Sequence, residues 1–100
     1  MVTLHQDQKN IAKLLKILAN ENRLLILCAL SNGNKKTVSE IHETIPDISL
    51  SALSQHLRVM RTSGILATKK SAQYVTYSIE DNRVVEVHNT LKKYYCKGGC

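Results

Sequence analysis

The residues predict a mainly α domain with a single β-hairpin (α+β), in the order α-α-α-α-β-β-α, which is a winged helix-turn-helix filling residues 1–100 as one domain. Three observations carry this expectation. Apolar residues recur at helical spacing along most of the chain, then give way to a β-branched and aromatic run between Ile65 and Ile79. Two short helical patterns meet around Pro46, a residue that forbids helical continuation from the position before it. A total of 14 lysines and arginines against 8 acidic residues gives a formal net charge of +6, which favours an anionic partner such as nucleic acid. With 100 residues and 43% hydrophobic content the chain can form one small core, and dimerisation would add to it.

Each element has its own signal. Leu4, Ile11, Leu14, Leu15 and Leu18 share one helical face, with Lys9, Lys13 and Lys16 on the other, predicting an amphipathic helix of about fifteen residues. Asn20 can cap a second helix through Leu24, Leu25, Leu27, Cys28 and Leu30, which ends in the turn Ser31-Asn32-Gly33-Asn34. Thr37-Val38-Ser39-Glu40 matches a capping box, so Val38, Ile41 and Ile45 belong to a short third helix. After Pro46, Ser49 can cap a fourth helix and Gly64 suits the left-handed residue that ends it. Leu50, Leu53, Leu57 and Met60 form its docking stripe, while Ser51, Gln55, Arg58 and Thr62 lie opposite, with Ser54 beside them. Two strands follow, around a tip near Lys70 to Ala72. No tight Asn-Gly turn is present, so a loop of a few residues is expected. Asp81 can cap a last helix with Val84, Val87, His88, Leu91 and Tyr95 along one side, Lys92 and Lys93 near its C-terminal dipole, and Gly98 and Gly99 stopping it.

The fourth helix holds the candidate chemistry. No carboxylate occurs between Ser49 and Thr62, and the outward residues are short hydroxyls, an amide and arginines. Such side chains suit double-stranded DNA: Gln55 can pair with adenine through two hydrogen bonds, serines can donate or accept at base edges, and Arg58 and Arg61 can neutralise phosphates. Lys69, Lys70 and Gln73 would project from the hairpin as a basic wing. The expected DNA-contacting set is therefore Ser49, Ser51, Ser54, Gln55, His56, Arg58, Arg61, Lys69, Lys70 and Gln73, with His56 at the edge of the stripe, where it packs or meets a phosphate. A solvated helix face and a hairpin made soluble by lysines are the bland alternatives. His5 and His42 are expected at the surface.

Other classes are disfavoured. No apolar run approaches the ~18 residues of a membrane span and no signal-peptide core is present, so a cytoplasmic protein without membrane attachment is expected. Cys28, Cys96 and Cys100 do not make a secreted disulfide framework; they can be buried and inert, metal ligands, or redox-active. A thiol-disulfide enzyme would want Cys-x-x-Cys at a helix start. None exists, and no catalytic residue, cofactor or enzymatic activity is expected.

Four blocks, Arg23-Leu24-Leu25-Ile26-Leu27-Cys28, Ser51-Ala52-Leu53-Ser54-Gln55-His56-Leu57, Arg61-x-x-Gly64-Ile65-Leu66 and Tyr74-Val75-Thr76-Tyr77-Ser78-Ile79, resemble the ArsR/SmtB family of bacterial winged-helix repressors over nearly the whole chain. Cys28 after the Leu-Ile-Leu run and Tyr94-Tyr95-Cys96 near the end resemble its redox- and persulfide-sensing branch, which includes BigR, SqrR and HlyU. That resemblance implies a homodimer joined through the first and last helices and an inverted-repeat operator. It also implies Cys28 and Cys96 as a dithiol answering persulfide, sulfide or oxidants. Lys92, Lys93 and Lys97 beside Cys96 make it the expected first site of modification, with Cys28 resolving it. The family's metal patterns are missing: Val-Ser-Glu-Ile-His stands at Val38 to His42 where a Cys-x-Cys is needed, and Arg83 stands where the last-helix zinc site needs a histidine. The alternatives are a soft-metal sensor using His88, Cys96 and Cys100, or a constitutive regulator or antirepressor without an inducer.

Overall fold

The computed structural model describes residues 3–97. Five helices and a hairpin follow in the expected order: α1 (Leu4–Leu18), α2 (Glu21–Leu30), α3 (Val38–Thr44), α4 (Leu50–Thr62), β1 (Leu66–Ser71), β2 (Tyr74–Ile79) and α5 (Asn82–Tyr95). The helix starts are set by side chains that accept from amides with no partner inside the helix. Asn20 accepts from the Arg23 N–H, Ser49 from Ala52 and Asp81 from Arg83. At α3 the full capping box forms, with the Thr37 hydroxyl accepting from the Glu40 amide and the Glu40 carboxylate from the Thr37 amide. That exchange holds the exposed Glu40 carboxyl below its ordinary range, the hydrogen bonds from Thr37 being the main cause. Gly64 takes φ +87° just past α4, the left-handed step that lets the chain turn into β1.

One core joins the elements that build the helix-turn-helix. Ile26, Leu27 and Leu30 of α2, Ile41 of α3, and Leu53, Leu57 and Met60 of α4 are fully or almost fully buried, with Ile65 and Leu66 closing the cluster from the start of the hairpin. Burial of this kind is worth about 1.5 to 3 kcal/mol per large apolar side chain. By contrast α1 and α5 each bury a single residue, Leu18 and Val84.

Two local expectations, the hairpin loop and the burial of Leu50, are corrected. The hairpin loop is not extended: Ser71 pairs with Tyr74, leaving only Ala72 and Gln73 between the strands. Ala72 adopts φ +54°, which closes the tight turn without a glycine. Helix α5 ends at Tyr95, where the Cys96 N–H donates to the Lys92 carbonyl; Gly98 and Gly99, the expected stop, lie outside the described residues. Leu50, though in register with Leu53 and Leu57, is 53% exposed, because the first residue of α4 lies past the edge of the core. A two-way backbone bridge, Lys36 N–H to Tyr77 carbonyl at 3.0 Å and Tyr77 N–H to Lys36 carbonyl at 2.7 Å, also ties the segment before α3 to β2.

Candidate nucleic-acid interface and thiol pocket

The interface is assembled from the turn outward. Pro46 ends the helical pattern of α3, and the His42 ring Nε2 lies 2.9 Å from the Ile48 carbonyl, spanning the turn that sets α4 against α3. His42 is thus a half-buried structural clamp rather than the surface residue expected. On α4 the two faces separate cleanly: Leu53, Leu57 and Met60 have no exposure, while Ser51, Ser54, Gln55, Arg58, Arg61 and Thr62 are exposed. Ser49 lies at the edge, its hydroxyl accepting from the Ala52 amide, and its proton stays available to an acceptor. Thr62 turns its hydroxyl back to the Arg58 carbonyl at 2.8 Å. Among the described residues, none of Arg58, Arg61, Lys69 and Lys70 is paired with a carboxylate.

Lys69 and Lys70 stand on β1 opposite Thr76 and Val75, and both are exposed. Consecutive strand residues point to opposite faces, so the two lysines flank the wing instead of forming one patch. Gln73 sits in the two-residue tip, and next to it Tyr74 is 59% exposed, an aromatic at the wing tip to which the spacing drew no attention.

His56 departs from the other candidates. It is half-buried and its ring Nδ1 accepts from the Arg23 Nε at 3.1 Å, so one side of the ring is held by α2. Burial, and secondarily the Arg23 charge, hold its pKa below the usual 6.5. The same guanidinium donates through Nη1 to the Ile17 carbonyl at 3.2 Å. Sequence reasoning missed Arg23 and His42 as parts of the site, because their partners are set by tertiary packing that no residue spacing announces.

The sulfur chemistry lies elsewhere. Cys28 on α2 and Cys96 at the end of α5 line one pocket of about 910 Å³, together with Leu24, Leu25, His88 and Lys92. Burial, followed by the Lys92 charge, keeps the His88 pKa below its ordinary value, so the ring is neutral near pH 7. Cys96 is an exposed free thiol, whereas Cys28 stands in a disulfide, so the two are not bonded to each other. Cys100 lies outside the described residues. Among the described residues no group of three His, Cys, Asp or Glu side chains is placed to hold a metal ion.

Known proteins share this fold. The family model described as "Bacterial regulatory protein, arsR family" matches residues 20–68, the span from the α2 cap to the start of β1. The chain is 40% identical over 99 residues to the transcriptional activator HlyU of Vibrio cholerae serotype O1, covering 96% of this chain and 90% of that one. A solved structure of HlyU from Vibrio cholerae N16961 superposes with a TM-score of 0.84 at 37% identity, over 94% of this chain and all of the other. The HTH-type transcriptional regulator YgaV of Escherichia coli strain K12 is 38% identical, over 96% of both chains. The crystal structure of the transcriptional repressor BigR from Xylella fastidiosa superposes with a TM-score of 0.84 at 29% identity, over 95% of each chain.

Proposed function

The chain belongs to the ArsR family of bacterial regulatory proteins, and from that premise we propose that it is a homodimeric repressor of an inverted-repeat operator, released by thiol chemistry at Cys28 and Cys96. Membership in the family makes it a transcriptional regulator that binds DNA, not an enzyme. The observation that carries the finer reading is the uncovered face of α4, where serines, Gln55 and arginines stand exposed with no carboxylate among them. In this reading Ser51, Ser54 and Gln55 address base edges in the major groove. Ser49, Arg58, Arg61, Lys69, Lys70 and Gln73 hold the phosphates, with one wing lysine facing the duplex at a time.

Two copies are needed because one α4 reads only a half-site. The apolar faces left open on α1 and α5 support pairing through those helices: Leu4, Ile11 and Leu15 on one, Val87, Leu91, Tyr94 and Tyr95 on the other, are all exposed. Paired recognition helices must stand about 34 to 36 Å apart to enter successive major grooves.

The shared pocket supports the switch, since it brings the Cys28 sulfur of α2 and the Cys96 thiol just past α5 to the same space. In the reduced chain, a persulfide R–S–SH transfers its outer sulfur to Cys96 and leaves as R–S⁻. The Cys28 thiolate then attacks the Cys96 sulfur, expels hydrosulfide and leaves a Cys28–Cys96 link. That link pulls α5 towards α2 and alters the spacing of the reading helices. Because Cys28 is already engaged in the described state, it must first be reduced before it can act as the resolving thiol.

The test is a mobility shift with the reduced protein on a consensus duplex selected from a randomised pool, with and without an organic persulfide. Release by persulfide, lost in Cys96→Ser, is expected, with a change in affinity of about 5- to 150-fold. Binding that ignores persulfide leaves a constitutive regulator.

A further inference from the structure

We infer that Arg23 is a positioning residue for DNA binding: through His56 it locks the reading helix α4 to the end of α1, and a proton on His56 releases the lock. This rests on the reading of α4 as the DNA-contacting element. Its geometry is independent of the thiol pocket, whose lining includes neither residue.

The argument starts from what arginine can do. A guanidinium is a rigid fork of donors with no acceptor. In this chain Nη1 donates to the Ile17 carbonyl near the end of α1 and Nε to Nδ1 of His56, with the Arg23 backbone pinned at the start of α2 by the Asn20 cap. One half-buried side chain therefore bolts three helices together. Since Nε only donates, Nδ1 must accept, which requires the neutral ring with its proton on Nε2. His56 follows Gln55 directly and precedes Arg58 by two residues, so whatever fixes this ring fixes the rotation of the exposed face. The other end of the bolt is on α1, whose open apolar face carries the proposed pairing with a second copy. Arg23 thus connects the helix that sets the dimer axis with the helix that must enter the groove.

Protonation undoes the arrangement for a chemical reason. An imidazolium has two donors and no acceptor, so Nε of Arg23 would face an N–H, and two positive charges would stand about a hydrogen bond apart. The charge acting on the ring is that of Arg23 from α2; α1 presents the Ile17 carbonyl, and the nearest charge in sequence on α4 itself, Arg58, is exposed. Burial and Arg23 hold the ring neutral at pH 7 and delay its protonation to below 6.5. The lock is therefore intact above the ordinary histidine range and lost as the pH falls beneath it. The sign is opposite to that of a histidine holding a phosphate, which would bind DNA better in acid.

The experiment uses the full-length reduced chain, the selected consensus duplex and a scrambled duplex, at constant ionic strength from pH 7.5 to 5.5. His56→Asn keeps an acceptor near the Nδ1 position but cannot titrate. The ratio of the wild-type Kd to the His56→Asn Kd is expected to rise about fivefold or more across that range. A flat ratio overturns the lock, and a falling ratio assigns His56 to a phosphate instead. Arg23→Met at pH 7.5 is expected to weaken the consensus duplex about fivefold or more while leaving the scrambled duplex within about twofold. Unchanged binding, or equal losses on both duplexes, overturns the positioning role and leaves Arg23 a bystander or a plain charge. A pool that yields no consensus removes the DNA reading itself, and the positioning role with it; failure of the variants with a consensus in hand strikes the lock alone.

Discussion

Ala72 is the residue at which the local chemistry and the fold disagree most. Its φ of +54° puts a side chain with a β-carbon in the left-handed region, which costs roughly 1 kcal/mol relative to a residue without one. Glycine there removes the clash but frees the unfolded chain, which offsets much of the gain, so Ala72→Gly should stabilise by a net of about 0.5 kcal/mol or less. Urea unfolding would show this as a higher midpoint with an unchanged slope; a lower midpoint would mean that the alanine methyl makes a contact worth more than the strain. The same comparison explains what could be read beforehand. Gly64, at φ +87°, announces the end of α4 because glycine is the residue such a position selects, and Asn20, Thr37, Ser49 and Asp81 announce helix starts by the same logic. Ala72 carries no such mark, so its tight turn looked like a longer loop. The clamps of Arg23 and His42 were illegible for a different reason. A hydrogen bond spanning 33 residues, or one that closes a turn by way of a ring, exists only once the helices have packed.

Among the elements, the proposed function divides specificity from affinity between α4 and the wing, and each can be tested separately. Gln55 is exposed on the side of α4 opposite its fully buried face, so in the proposed reading its amide is held in register with whatever base edge it meets. Gln55→Ala should relax preference at one base position at a cost of about 1 to 3 kcal/mol, measured as the spread of affinity over single-base operator variants. Lys70, on an exposed strand with no carboxylate partner among the described residues, meets phosphate if it meets DNA at all. Lys70→Ala should weaken all duplexes alike and reduce the salt slope by about one. Should Gln55→Ala leave every operator variant bound as before, α4 does not enter the groove with this face. Element order and the two-faced character of α4 followed from periodicity. The link between Lys36 and Tyr77 did not, because a one-residue bridge leaves no alternation to detect, yet it anchors the base of the wing to the segment before α3.

For the whole molecule the decisive feature is an imbalance between its helices. The buried cluster is made by α2, α3, α4 and the base of the hairpin, whereas α1 and α5 contribute Leu18 and Val84 and leave Leu4, Ile11, Leu15, Val87, Leu91, Tyr94 and Tyr95 exposed. Leu15 and Leu18 of α1 and Val87 and Leu91 of α5 already line one shallow cavity of about 250 Å³, so the two open faces adjoin. At about 25 cal/mol per Å² of apolar area removed from water, covering such a surface with its copy is a substantial driving force, one that a 100-residue chain with a small core can use. In the proposed dimer a two-fold axis through these faces makes each substitution act twice, since the same residue lies on both sides of an isologous interface. Ile11→Glu combined with Leu91→Glu should therefore give a monomer in sedimentation at concentrations where the wild type, on the proposed function, forms a dimer. Because neither position belongs to the buried cluster, far-UV circular dichroism should remain that of the folded chain. On DNA the monomer loses the gain from holding two half-sites at once, so its affinity for a full inverted repeat should drop towards that for a single half-site, which itself should change little. A wild-type chain that sedimented as a monomer, or a double variant that still bound the full repeat at wild-type strength, would leave the open faces of α1 and α5 without the partner assigned to them.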